Sequence, residues 1–178
     1  MKATGVVRRI DELGRVVVPM EIRRTLRIRG GDPLELFVDK GGMLLLRKYS
    51  PISELGDFAK EYAEALYDSL GNPILICDRD MYITTAGCSK QKYMDKEVSD
   101  TVKEMMENRK SILNIHKESI SLIDGTEEEV KSYVASPIIA NGDAVGNIVM
   151  FSKKAKVGAV ELKALETAAR FIGRQLEQ

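Results

Sequence analysis

Eight basic residues crowd the first thirty positions: Lys2, Arg8, Arg9, Arg15, Arg23, Arg24, Arg27 and Arg29, against Asp11, Glu12 and Glu21 alone, a net charge of +5. The whole chain of 178 residues balances at zero, 27 bases to 27 acids, so the remainder carries −5. A neutral chain whose charge is segregated end to end commonly reserves one end for a polyanion. Arginine's planar fork of five donors matches phosphates and guanine edges, and its charge persists at any physiological pH. No aromatic residue precedes Phe37, so base stacking is not expected there. Duplex DNA fits that surface better than single strands or RNA loops. Any single arginine is better explained as a solvated charge pairing Asp11, Glu12 or Glu21. The set is not so easily explained, because Arg8 and Arg15 flank a tight loop and Arg23 and Arg24 share the helix that follows.

The elements that must carry these arginines are short. Residues 5–10 and 15–18 are predicted as two strands separated by Asp11-Glu12-Leu13-Gly14. Pro19 ends the second and suits the first turn of a helix over residues 20–26. Residues 34–38 and 43–46 are predicted as strands joined at Lys40-Gly41-Gly42. Val16-Val17-Val18 and Leu44-Leu45-Leu46 lack two-residue alternation, so both faces of each strand need cover. A segment of this size is marginal as an independent core. A second copy of the chain is the economical source of cover, giving an intertwined dimer.

The run TGVVRRIDELGRVVVPMEIRRTLRI, followed by GDPLELFV, closely resembles the AbrB-type swapped-hairpin DNA-binding domain of bacterial transition-state regulators. The resemblance implies a dimer whose strands interleave into a small barrel, with double-stranded DNA as partner. It also implies that Arg8, Arg15, Arg23 and Arg24 are DNA-contacting, with Lys2 and Arg9 as weaker candidates. Met20 stands where many relatives carry lysine, so no phosphate contact is expected at that position.

Ser50-Pro51 marks a boundary, giving domains at residues 1–50 and 51–178. Leu55, Phe58, Tyr62, Leu66 and Leu70 recur at helical spacing, with Ser53 as expected N-cap and Gly71 as stop. Strands are predicted at 74–77, 81–85, 111–115, 119–123, 133–139 and 145–151, a helix at 98–109, and a hairpin at Asn141-Gly142. A last helix starts near Gly158. These elements make an α+β fold in which helices cover an antiparallel sheet, and the region resembles a GAF domain. Taken whole, the chain resembles transcription regulators of endospore-forming bacteria, which implies control of sporulation genes. In the last helix, Leu162, Leu165, Ala169 and Ile172 form one apolar seam and Val160, Ala164, Ala168 and Phe171 a second face. Either the helix has one broad buried stripe or it also meets helices of another subunit. The latter would build a homotetramer from two dimers.

Other chemistry is sparse. His116 is the single histidine, and Cys77 and Cys88 stand eleven residues apart, with no metal spacing and no disulfide framework. A Cys88–His116 pair stays open as a relay, and Cys88 as a pocket or sensing thiol, against the plainer reading of structural cysteines. Tyr93, Tyr133 and Ser136 could line a cavity for an unidentified sensor ligand or simply pack the sheet. No phosphate loop, catalytic cluster or cofactor motif is present. No apolar run reaches the ~20 residues of a membrane span and no signal-peptide core is seen, so a cytoplasmic, nucleoid-associated protein is expected. Two alternatives remain: an AbrB/MazE-type antitoxin and a small-molecule-binding scaffold that never meets DNA.

Overall fold

Pro19 has no N–H to forgo and stands directly before α1 (Met20–Thr25). The helix ends as Arg27 turns left-handed at φ 53°, and the Ile28 N–H bonds back to the Arg23 carbonyl at 2.8 Å. β1 (Leu34–Val38) and β2 (Leu44–Lys48) pair antiparallel with Phe37 opposite Leu45. Lys48 ties the base of this hairpin to Asp32, which is nearly buried, at 3.0 Å. The structure, a computed structural model, describes residues 5–177, and the chain divides between Tyr49 and Ser50 into two compact units.

In the first unit the expected strands over 5–10 and 15–18 do not form a ladder, and β1 and β2 make an open two-stranded sheet rather than a closed barrel. The physical reason is lack of a covering layer: an uncovered two-stranded ribbon is marginal in water. Among the described residues of this unit, Pro19 alone is buried. Fifteen large apolar side chains are exposed there, against four in the much longer second unit. Val16, Val17, Leu44, Leu45 and Leu46 are among the fifteen, Val17 being 71% exposed, while Val18 is half-buried.

The second unit begins with Ser50, whose hydroxyl accepts the Ser53 N–H at 3.4 Å and caps α2 (Pro51–Glu54). Helix thus starts earlier than the expected Ser53 cap, because Pro51 is pre-shaped for a first helical turn. α3 (Gly56–Leu70) stops at Gly71, left-handed at φ 69°. β3 (Ile74–Asp78) and β4 (Tyr82–Ala86) follow, their turn held by Asp78 Oδ1, which accepts the N–H groups of Asp80 and Met81, each at 2.8 Å. Then come α4 (Lys90–Tyr93), α5 (Asp100–Glu107) capped by Ser99, β5 (Ile112–Asn114), β6 (Glu118–Ile123), β7 (Thr126–Val130), β8 (Ser132–Ala140), β9 (Asp143–Ser152) and α6 (Ala159–Gln175). Five strands form one antiparallel sheet in the order β4-β3-β9-β8-β5, and β6 and β7 form a separate ribbon. Asn141 and Gly142 are both left-handed, as the tight β8–β9 hairpin requires.

Each sheet face carries its own core. Ile74, Ile76, Val134, Ile138, Ile148 and Met150 pack beneath α3 and α6. Leu75, Cys77, Ala135, Val149 and Phe151 belong to the opposite face, with Val102, Met105 and Met106 of α5 and Leu122 of the ribbon. α6 approaches the sheet closely at Gly173, where a Cβ would lie 2.1 Å from the Ile139 carbonyl oxygen.

That packing bears on one expectation about assembly. Leu165, Ala169 and Ile172 are at most 1% exposed and belong to the core under their own sheet, with half-buried Leu162 packed against it. Leu165, Ala169 and Ile172 thus keep almost no surface in the single chain to offer a neighbouring subunit. The outward apolar groups lie elsewhere on α3 and α6: Phe58, Tyr62 and Phe171 have ring centroids 5.5–5.8 Å apart, and Phe171 is 40% exposed.

β7 contains three consecutive glutamates, yet its alternation buries Glu128 and Val130 while Glu127 and Glu129 face outward. Burial works against the Glu128 carboxylate, but hydrogen bonds from Lys92, Tyr93 and Lys153 outweigh it and hold the carboxyl below its ordinary value. Tyr93 donates its phenolic hydroxyl to Glu128 Oε1. Glu128→Gln is expected to lower the melting point of the second unit, losing about 1–3 kcal/mol of charge-assisted bonding. Calorimetry checks this, and an unchanged melting point would show the cluster to be decorative.

Candidate nucleic-acid interface

The basic loop of the first unit is organised by one aspartate. Asp11 Oδ1 accepts the N–H groups of Leu13 and Arg15 at 3.0 and 2.8 Å, and Oδ2 accepts Arg15 Nε at 2.9 Å. The Asp11 N–H bonds to the Arg15 carbonyl and the Gly14 N–H to the Asp11 carbonyl, both at 3.0 Å. Gly14 is left-handed at φ 75°, a conformation that favours glycine.

The same construction recurs in the β1–β2 hairpin. Asp39 Oδ1 accepts the N–H groups of Gly41 and Met43 at 2.9 and 2.8 Å, and Gly42 is left-handed at φ 77°. The Asp39 N–H donates to the Met43 carbonyl, and the Gly42 N–H to the Asp39 carbonyl. Asp-x-x-Gly is therefore a hairpin turn used twice, and the Asp11 copy turns the chain back on itself between residues 5–10 and 15–18 although no strand ladder forms there. Sequence reasoning missed the role of Asp11, although the repeated Asp-x-x-Gly spacing was the signal. The Arg15 backbone N–H, chiefly, holds the exposed Asp11 carboxyl below its ordinary 3.8. Its contribution is therefore present above that value and lost as pH falls through the lowered one. The amide shifts of Leu13 and Arg15 are expected to titrate with a midpoint under 3.8; a midpoint at or above it would show the turn open in solution.

Arg8 and Arg9 are exposed on the arm entering this turn, and Arg15 leaves it with its side chain 71% exposed. The Arg15–Asp11 pair engages one edge of the guanidinium, and such exposed pairs contribute little to stability. On α1, Arg24 is exposed with no ion pair among the described residues, and Arg23 is half-buried with its Nε closed off from solvent and no hydrogen-bond partner among them. Arg47 is engaged internally, 2.6 Å from Glu35 and 5.0 Å over the Phe37 ring. Lys2 lies outside the described residues.

The remaining candidates separate. Cys88 follows β4 and His116 follows β5, at opposite edges of the five-stranded sheet, so they form no relay. Four strand spacings of ~4.8 Å lie between those edges. Burial pushes the thiols of Cys77 and Cys88 up, opposite to what a reactive thiolate needs. Ser136 bonds with Ser111 across 3.0 Å, while Tyr93 and Tyr133 belong to the core on the other sheet face, so the three do not line one cavity. No helix among the described residues is long and apolar enough to cross a membrane.

Comparison with known proteins agrees with the two-part organisation. Residues 54–177 match the family described as Stage V sporulation protein T C-terminal, transcription factor, and residues 7–54 match Antidote-toxin recognition MazE, bacterial antitoxin. Stage V sporulation protein T of Bacillus subtilis (strain 168) is 60% identical over 178 residues, the full length of both chains. Transition state regulatory protein AbrB of the same organism is 57% identical over 51 residues, 29% of this chain and 52% of that protein. Among solved structures, the GAF domain of an Acinetobacter phosphoenolpyruvate-protein phosphotransferase covers 68% of this chain and 81% of its own, with TM-score 0.59 at 12% identity, a likeness of fold alone. With one relative alike from end to end and a family match over most of its length, the chain belongs to the stage V sporulation protein T family of transcription factors.

Proposed function

We propose that two copies of this chain interleave residues 1–50 into one DNA-binding head, and that residues 51–178 sense a small ligand and join heads into a tetramer. Family membership makes the chain a DNA-binding transcription regulator of sporulation. It acts where the chromosome is, in the cytoplasm. A regulator of this kind makes and breaks no covalent bond, and no catalytic or metal role is assigned to any residue.

One observation carries the dimer: the unit richest in arginine is also the unit that, among the described residues, leaves fifteen large apolar side chains exposed. Burying such surface is worth about 25 cal/mol per Å², and the two Asp-x-x-Gly turns already shape the arms for pairing. A second copy would cover Val16, Val17, Val18, Leu44, Leu45 and Leu46 and double the array of Arg8, Arg9, Arg15, Arg23 and Arg24 before duplex DNA. Arg15 would use its terminal nitrogens, since Asp11 holds Nε. Tetramer assembly would use the outer rings of Phe58, Tyr62 and Phe171, not the buried seam of α6. Two tethered heads then gain avidity through effective concentration. The antitoxin reading is disfavoured because the segment after the head folds as a complete sheet-and-helix unit.

Arg24→Ala tests the head. Each chain of a dimer loses one charge-assisted contact worth about 1.5–3 kcal/mol, so DNA affinity is expected to fall roughly a hundredfold or more. Melting and oligomeric state should not move. For the unaltered chain, affinity should fall with salt at a slope near −0.9 per phosphate neutralised. A flat salt response, or melting that falls together with affinity, would reassign these arginines to structure.

A further inference from the structure

The second unit holds a cavity of about 420 Å³ where the end of α3, the segment after β4, α4, β7 and the end of β9 meet. Small-molecule sites are roughly 300–1,000 Å³. Tyr67, Pro73 and Phe151 supply apolar wall. The Tyr67 ring lies against Gly87, where a Cβ would come within 2.2 Å of it. The charge of the lining is unbalanced: Lys92, Lys153 and Lys154 accompany Glu128 as the one carboxylate.

Glu128 positions two of those lysines. Lys92 Nζ is 2.6 Å from Oε1 and Lys153 Nζ 2.9 Å from Oε2. The carboxylate side chain is 4% exposed, whereas the lysines keep 39% and 56% of theirs open to solvent. Lys92 also lies 5.1 Å from the centre of the Tyr93 ring. An ammonium carries three donors; Glu128 Oε1 takes one from Lys92 and Oε2 meets Lys153 as an ion pair, so both lysines retain capacity for a second acceptor. Ordering a surface lysine ordinarily opposes anion binding; here one buried carboxylate has already ordered two.

We infer that this cavity binds a small organic anion with a flat apolar body, its carboxylate or phosphate bridging the ammonium groups of Lys92 and Lys153 and its body lying against Tyr67 and Phe151. The inference deepens the sensor role proposed for residues 51–178 and rests on that role only for its consequence, since occupancy is measured without DNA. Cys88 lines the same cavity while Cys77 is fully buried, which supplies a local readout.

The test uses the full chain with phenyl phosphate and phenylacetate as probes, and inorganic phosphate and benzyl alcohol as the two halves of the ligand taken separately. Calorimetric titration gives affinity, and the rate of Cys88 alkylation reports occupancy. Both aromatic anions, or one of them, should bind and slow alkylation, with each half-ligand at least about tenfold weaker. Lys153→Gln, checked by melting, should weaken the aromatic anions by about tenfold. No binding of either aromatic anion at about 5 mM, equal binding by either half-ligand, or an unaffected Lys153→Gln chain overturns the assignment. DNA affinity of the ligand-free chain is measured alongside: if it persists while the probes fail, only the cavity assignment falls.

Discussion

Val17→Asp is expected to abolish association of the head and, with it, DNA binding. In the single chain Val17 is 71% exposed, so an aspartate there meets water and costs nothing before association. Covered by a second chain, the same carboxylate would be buried without a partner, at several kcal/mol per copy. With two copies per head, DNA affinity should drop by about 1,000-fold or more. Sedimentation should show the full chain halved in size, while the melting transition of the second unit stays where it was. An altered chain that sediments and binds DNA like the original would show that Val17 faces solvent in the working protein.

The second large effect is expected at Gly173. Its missing Cβ is what lets α6 approach β8, since an atom there would sit 2.1 Å from the backbone oxygen of Ile139. A backbone oxygen cannot rotate away as a side chain can, so Gly173→Val must push the helix off the sheet. The cost is about 3 kcal/mol, the upper end of ordinary overpacking. It should lower the melting point of the second unit by roughly 10 °C. Because Leu165, Ala169 and Ile172 pack on that same face, exposed apolar surface and aggregation should accompany the loss. Thermal unfolding followed by circular dichroism measures it, and a shift of only a degree or two would mean that the helix seats differently.

What could be read from residue order was what is decided locally. Asn141-Gly142 and Gly71 require a backbone that few other residues adopt, and both were found as expected. Pro19 likewise marks a helix entrance through its own ring. β7 was missed because three glutamates in a row hide the alternation that puts Glu128 inward and Glu129 outward. The two apolar faces of α6 have the same three-and-four spacing, so periodicity alone could not say that Ala164 and Ala168 of the second join Leu165, Ala169 and Ile172 in one core. The arms around Asp11 were predicted as strands from their β-branched residues, but a strand is a property of a pair, and no sheet of the described residues includes these arms. For the arginines, position on the turn and on α1 was legible, whereas the engagement of Arg15 by Asp11 was not. The Lys92–Glu128–Lys153 cluster draws on three distant segments and left no local trace.

The apolar surface left bare around the arginines has a cellular consequence. If, as proposed, the head is completed only by a second chain, it forms in proportion to the square of the amount present when copies are scarce. Promoter occupancy would then lag early synthesis and rise steeply past a threshold, giving the cell a timing element set by gene dose rather than by any signal. Mixed expression would be equally telling: one disabled chain in a pair would spoil its healthy companion, so defects in this segment should behave as dominant.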